Sequence, residues 1–290
     1  MIFMGTGAAQ LIPSPFCECD YCKTVRLSDD KRNIRGRSGF QIDEKNLIDL
    51  GPDTQYTAGL YGVSFRKTEN IFYTHCHTDH FSYANWENLH MCSEPVSLNA
   101  WLSEGAMAGM EKIASMLMND PSREFDMNYH FIRDHITFHP VKLYETCRAG
   151  DMNVTALRAN HPGQFKEETH GINWLFERNG KRFLYACDTG LWCDENYEFL
   201  KNTPLDIIVM DCTFGLLPRP RTDGHLNLEH FEEIIRRFEK KGIFTPDTLL
   251  YANHIGHQCG MLHAEFDAKM KVLFGPNASV SYDGLEIAPF

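Results

Sequence analysis

Three apolar residues, Ile71-Phe72-Tyr73, run directly into Thr74-His75-Cys76-His77-Thr78-Asp79-His80, and no other stretch limits the fold so sharply. The apolar run reads as a buried strand, and four metal-grade ligands follow it within six residues. Imidazoles two apart at the mouth of a strand can converge on one ion. Asp79 and His80, as the chain turns into the next helix, can then face a second. Imidazole plus carboxylate suits zinc, manganese or iron rather than calcium or magnesium. A histidine-rich surface loop is the plainer alternative, and three histidines with an aspartate at this spacing weigh against it.

A second ligand set lies near the start. Cys17, Cys19 and Cys22 form C-x-C-x-x-C in a loop flanked by Pro13, Pro15 and Asp20. Three thiols this close cannot all form disulfides, but they can share one structural zinc, which then wants a fourth ligand. The alternative, a redox pair with a spare thiol, leaves exposed free cysteines that are a liability in a cytosolic enzyme. Far along the chain, Leu249–Asn253 reads as a last core strand before His254-Ile255-Gly256-His257. Two histidines three apart can face different sites: His254 completes the second catalytic ion, and His257 supplies the thiol cluster.

The 290 residues, 43% hydrophobic and 23% charged, suffice for a sizeable core. No linker, low-complexity run or repeat divides them, so one domain over 1–290 is expected. No apolar run approaches the ~18 residues of a membrane span. Met1 to Gly7 lacks the order of a signal peptide and reads as a first strand ending in a glycine turn. A net charge of −11 disfavours a long polyanionic partner, because nucleic-acid affinity comes largely from cations displacing counterions. A small phosphate ester stays compatible. Ten cysteines without an export signal place the chain in a reducing cytoplasm. Cys76, Cys92, Cys147, Cys187, Cys193, Cys212 and Cys259 then read as small buried hydrophobes.

Between these landmarks, Ser38–Asp43 and Asn46–Leu50 read as a hairpin leading to Asp49 and Gly51-Pro52. Ser82–His90 reads as a short helix, Pro95–Ala100 as a strand and Trp101–Met118 as a helix stopped by Asn119-Asp120-Pro121. His130, His135 and His139 show no ligand spacing. Met152–Asn160 is a strand ending at His161, with His170 a weak competitor for its role, and Lys181–Cys187 is a strand ending at Asp188-Thr189-Gly190. Leu205–Met210 is a buried strand before Asp211-Cys212-Thr213. An irregular loop with Arg219 and Arg221 follows, then His225 and an amphipathic helix, Asn227–Lys241. A helix at His263–Lys271 and a closing strand pair, Ser279–Tyr282 with Leu285–Ala288, finish the chain.

His-x-His-x-Asp-His after a strand resembles the signature of the metallo-β-lactamase superfamily. Further stretches are similar to its phosphoribosyl cyclic phosphodiesterase branch, of the carbon–phosphorus lyase pathway type. They are Gly5-Thr6-Gly7-Ala8-Ala9-Gln10, the thiol cluster, Met210-Asp211-Cys212, His225, His254-x-x-His257-Gln258 and Tyr282-Asp283-Gly284-x-Glu286. The resemblance covers nearly the whole length. It implies an α/β fold, a four-layer αββα sandwich, with an insert around residues 101–139 near the active site. It implies one ion held by His75, His77 and His161, a second by Asp79, His80 and His254, and Asp188 shared between them. Cys187, one residue earlier on the strand, should face the opposite way. Asp49 would orient ligands from behind, although capping the following turn explains it as well. His225 would be a mobile proton donor, where the residues alone also allow a helix-start histidine. Its acidic helper would be Asp223 or Glu229. From the residues alone, Arg219 or Arg221 would grip a second phosphate, although an unpaired surface arginine is the commoner explanation.

The function expected is therefore a metal-dependent phosphodiesterase. It would hydrolyse a small phosphodiester, cyclic ones included, with a hydroxide made by two divalent ions (zinc, manganese or iron). Asp79 would serve the chemistry as a ligand. No membrane and no long nucleic acid is expected as partner, and a homodimer is admissible. One rival is a tRNA 3′-end processing endonuclease, which shares the metal set but normally needs a basic arm that this sequence lacks. Others are a thioester or lactone hydrolase, and a non-catalytic accessory protein of cofactor biosynthesis with the same fold. A full set of seven ligands weighs against the last.

Overall fold

The computed structural model describes residues 1–91, 96–118 and 134–290. A first sheet runs β1 (Ile2–Gly5), β2 (Gly39–Asp43), β3 (Asn46–Ile48), β4 (Asn70–Phe72), β5 (Leu98–Ser103) and β6 (Ile136–Val141), in that spatial order. Its first two pairings are antiparallel and the remaining three parallel. The second sheet contains β7 (Thr146–Ala149), β8 (Met152–Ala159), β9 (Gly171–Arg178), β10 (Lys181–Ala186), β11 (Ile207–Asp211), β12 (Leu249–Asn253) and β13 (Ala278–Val280), again neighbours in chain order. From β10 onward its pairings are parallel.

The strands alternate faces, as a pleated backbone must. Phe183, Tyr185, Ile207 and Val209 turn inward to meet Phe40, Phe72, Trp174 and Phe176 between the sheets. Leu184, Ala186, Ile208 and Met210 turn outward against Phe231, Ile234, Ile235 and Phe238 of the helix Leu228–Lys240. With both faces covered, these strands read as near-continuous apolar runs. On the other side, Ile71, Tyr73, Ala100 and Leu102 meet Trp86 and the helix Glu104–Met118 through Ala106 and Met110. The layering is therefore αββα in one domain, as the resemblance implies.

Local differences have local causes. Trp101 to Ser103 belong to β5, and the helix begins only at Glu104. Trp101 stacks on Phe72 between the sheets while Leu102 faces the helices, a period-2 alternation hidden beneath the helical spacing of Leu102, Ala106 and Met110. Of the closing strand pair only Ala278–Val280 is a strand; Glu286 makes a single bridge to Ile2. Short helices at Asp20–Arg26, Thr54–Leu60 and Asp194–Leu200 left no periodic signal long enough to read. Cys92, His130 and the expected helix stop at 119–121 lie outside the described residues. His139 stacks on Trp101 at 4.3 Å and donates to Asn99 Oδ1 at 2.9 Å, a packing role. Among the described residues no helix is long and apolar enough to cross a membrane.

The topology positions the site. The strands β3, β4, β8, β10, β11 and β12 all end on one rim of the sandwich. The residues that follow or end them include Asp49, His75, His161, Asp188, Asp211 and His254. A crevice beyond the carboxyl ends of parallel strands is where α/β sheets bind ligands.

Candidate metal centre

His75 Nε2 and His161 Nε2 lie 2.9 and 3.0 Å from His77 Nδ1. The three ring nitrogens all lie within 4.8 Å of one another, a spacing that suits an ion bound ~2.0–2.1 Å from each. Beside them Asp79, His80, Asp188 and His254 form a second group whose ligand atoms lie within 4.8 Å of one another. Asp188 joins the two. Its Oδ1 is 3.0 Å from His254 Nε2, and its Oδ2 is 3.3 Å from His80 Nε2, 3.8 Å from His75 Nε2 and 3.9 Å from His161 Nε2. Cys187 points the other way, buried in the inter-sheet core. His170 stays out of both groups, with Nδ1 3.1 Å from the Gly171 carbonyl.

The atoms facing the centre are short of partners. His80 Nε2, Asp188 Oδ1 and His254 Nε2 are all buried and make no hydrogen bond of acceptable geometry. Three orphaned polar atoms around one point would be a heavy loss unless a cation satisfied them. Burial holds the His75 imidazole well below its ordinary range and brings His161 down to about 4, so both are neutral and ready as ligands. His80 and His254 are opposite: burial lowers them, but Asp188 and Asp79 raise them further, to about 10 for His254. A divalent ion competes for those same lone pairs and would displace the protons. The donor set thus fits two divalent cations.

The outer nitrogens are fixed by two matching relays. His80 Nδ1 donates to Asp49 Oδ2 at 2.7 Å; Thr74 donates to the same carboxylate from its amide (2.8 Å) and its hydroxyl (2.9 Å). His75 Nδ1 in turn reaches Thr74 Oγ1 at 3.1 Å. Across the site, Thr213 donates to Asp211 Oδ1 from its amide (2.9 Å) and hydroxyl (3.0 Å), and His254 Nδ1 lies 2.8 Å from Thr213 Oγ1. Each aspartate–threonine pair sets the tautomer that aims an Nε2 at the centre. Asp49 and His254 have left-handed φ values of 58° and 57°, strain a rigid surrounding must hold in place.

His225 lies over this centre, its ring stacked 5.3 Å from His254 at 10° and 4.6 Å from His161. Its Nδ1 donates to Asp211 Oδ2 at 2.8 Å. Burial lowers its pKa, but the Asp211 carboxylate more than compensates and the net shift is upward. The carboxylate that meets the ring is therefore Asp211, where the sequence suggested Asp223 or Glu229. Asp223 does hold His225, but by the backbone amide (3.1 Å), and its other oxygen takes Arg219. Glu229 is exposed on the helix surface. Asp211 carries the same signal as Asp49, a carboxylate at a strand end; its partner fourteen residues on becomes visible only in the fold. His161 is steadied by donating from Nδ1 to the Gly224 carbonyl at 2.9 Å, and a Cβ on Gly224 would come within 2.8 Å of that nitrogen.

A cavity of about 360 Å³ opens above the centre, bounded by His77, Asp188, His225 and His254 with Gln10, Gln258, Phe214 and Arg219 at its walls. The Arg219 guanidinium lies 4.2 Å over the Phe214 ring. Arg221 is not brought to the cavity: it pairs with Glu233 at 2.6 Å on the open surface.

The thiol cluster also assembles. Cys17, Cys19, Cys22 and His257 present ligand atoms within 4.8 Å of one another, with His257 Nδ1 3.8 Å from Cys19 and 3.6 Å from Cys22. The Cys22 amide and then His257 lower the Cys19 thiol to about 6, the thiolate form a metal needs, while burial raises Cys22 to about 11. Three thiols and an imidazole in this arrangement suit zinc.

Comparison with known proteins agrees with the layering. A family profile described as beta-lactamase superfamily domain matches residues 46–255. Ribonuclease Z of Thermoplasma acidophilum is 26% identical over 238 residues, spanning 69% of this chain and 75% of that protein. A diphosphatase from the PhnP family has a solved structure that superposes with a TM-score of 0.71 at 21% identity, covering 99% of this chain and 95% of that one. Zn²⁺-bound PqqB from Methylobacterium extorquens superposes at 0.67 with 14% identity, covering 99% of both.

Proposed function

The chain belongs to the metallo-β-lactamase superfamily, and from that premise we propose that it is a metal-dependent phosphodiesterase acting on a small phosphodiester, cyclic ones included. The observation that carries this reading is the pairing of a shared-carboxylate metal centre with a His225–Asp211 dyad placed over it. Seven residues are assigned as ligands: His75, His77 and His161 to one ion, Asp79, His80 and His254 to the other, and Asp188 to both. Two divalent ions, when bound, supply Lewis acidity to the phosphate and to the attacking water. Cys17, Cys19, Cys22 and His257 are assigned to a structural zinc.

The chain's own residues do the rest. As water adds to phosphorus and the bond to the leaving oxygen breaks, that oxygen needs a proton. His225 can give one from Nε2, because its Nδ1–H is committed to Asp211 and the carboxylate stabilises the imidazolium form. Buried Asp211 holds the ring in the donating tautomer, as the third member of a catalytic triad does for its histidine. The Arg219 plane and the amides of Gln10 and Gln258 line the walls, where they can bind a phosphate or sugar hydroxyls. A cavity of about 360 Å³ and a charge of −11 favour a small substrate over RNA.

The likeness to a ribonuclease Z supports one second reading, cleavage of a tRNA 3′ extension. A panel decides: protein reconstituted in turn with zinc, manganese and iron is offered bis-p-nitrophenyl phosphate, a small cyclic phosphodiester, a p-nitrophenyl carboxylate ester and labelled precursor tRNA. Turnover of the phosphodiesters well above the ester and the tRNA is expected. Preferential tRNA cleavage would move the assignment to the nuclease, and no turnover of any substrate would remove the enzyme reading.

A further inference from the structure

We infer that Glu168 is a positioning residue for the three-histidine ion, clamping the backbone between His75 and His77. The inference rests on reading those histidines, with His161, as ligands of one ion. Glu168 is 2% exposed and lies in the connection between β8 and β9, seven residues after His161. Its Oε1 accepts the Cys76 amide at 3.0 Å, a contact spanning 92 residues of chain. Cys76 sits between the first two histidines. This one bond therefore ties the segment bearing the third ligand to the loop bearing the other two.

The connection is folded around that carboxyl. The Gly163 amide donates to the Glu168 carbonyl at 2.9 Å, the Glu168 amide to the Phe165 carbonyl at 2.9 Å, and the Gly171 amide to the His161 carbonyl at 2.6 Å. A Cβ on Gly163 would fall 1.8 Å from Glu168 Oε2, although Gly163 has no positive φ to demand glycine. Glycine is there for space, and the glutamate carboxyl fills it. Oε2 itself is buried without a hydrogen bond. A carboxyl buried on a single good hydrogen bond is an unfavourable way to fill a gap that a leucine could fill. Holding two ligand-bearing segments in fixed relative position explains it, since ligand geometry tolerates errors of only ~0.5 Å.

The test counts ions rather than product. Chelator competition on the wild-type protein should resolve two active-site binding steps, assigned with His77→Ala and Asp79→Ala. Glu168→Ala should weaken the three-histidine step by about 10–100-fold and the other step far less. Glu168→Gln, which keeps a carbonyl acceptor for the Cys76 amide, should recover most of that affinity. Gly163→Ala should expel the carboxyl, match Glu168→Ala, and add nothing when combined with it. Equal weakening of both steps, a glutamine variant as weak as alanine, or additive losses in the double variant would each reduce Glu168 to packing. Should Glu168→Ala fail to fold, the glutamine and Gly163 variants carry the same comparison. A wild type without a step sensitive to His77→Ala would instead overturn the ligand reading itself.

Discussion

The imidazole of His225 donates to the carboxylate of Asp211 at 2.8 Å, and that carboxylate is wholly buried at the end of β11. The same carboxylate takes the amide of Leu226 at 3.1 Å and both donors of Thr213. His225 is thus held from behind, through Nδ1, by a wholly buried carboxylate, and the proposed function leaves Nε2 to the substrate. His225→Ala should lower phosphodiester turnover by about 10²–10⁴-fold and leave metal content unchanged. Asp211→Asn should fall in the same direction. Near-normal turnover in a metal-replete His225→Ala protein would take this residue out of the reaction.

Asp188 presents carboxylate oxygens within 4 Å of ring nitrogens in both ligand sets. Asp188→Ala should therefore reduce the active-site ions per chain from two to one or none and abolish hydrolysis. Elemental analysis after dialysis against buffered metal reads the stoichiometry. Full retention of both ions would show that they are not bridged by this carboxylate.

The thiol cluster makes a separable prediction. Cys19→Ser should remove one zinc and lower the melting temperature, because a structural site contributes its binding energy to folding. The two active-site ions should remain. An unchanged zinc count would mean that the four donors serve some other purpose.

Phe231 lies at the centre of the contact between the helix Leu228–Lys240 and the second sheet, with no exposed surface. Phe231→Ala should cost about 3–5 kcal/mol of unfolding free energy, measured from denaturant midpoints. A loss below ~1 kcal/mol would mean that the helix is not part of the cooperative core.

A pH dependence attaches to Asp283. Burial raises its carboxyl from 3.8 to about 6, against the Thr6 hydroxyl, the Gly36 amide and Arg35, which favour the charge. The folded state then binds this proton more tightly than the unfolded state. Its contribution is full below the unfolded value of 3.8 and is lost as pH rises through about 6. The stability of wild type relative to Asp283→Asn should accordingly fall between pH 4 and pH 7. A difference that is flat, or that grows with pH, would contradict a raised value.

The ligands were legible because each follows an apolar run that the core requires. Ile71-Phe72-Tyr73 announces His75, and Leu249–Asn253 announces His254. The relays behind them were not. Thr74 and Thr213 look like any threonine beside a strand; Thr74 gains its value from Asp49 at the end of another strand, and Thr213 from Asp211 two residues before it together with His254 far along the chain. Asp223 and Glu229 lie near His225 in the chain, yet the ring chose Asp211 because β11 runs beneath it. The helix boundary at Glu104 was obscured in a different way. Leu102 satisfies both periods, and only its neighbour Trp101, stacked on Phe72, distinguishes strand from helix. Short helices such as Asp20–Arg26 span too few turns to show a face at all.

Every proposed metal donor of the active site stands where a strand gives way to a loop, on the rim of a sandwich whose interior is hydrocarbon. The proposed seat of the reaction is accordingly inherited from the most deeply buried part of the molecule, while the walls above it, such as the Arg219–Phe214 ledge, belong to connections that contribute little to that core. Lengthening, trimming or recharging those connections can alter what enters without unseating the ions, so choice of substrate and capacity for catalysis reside in different pieces of polypeptide and can change independently.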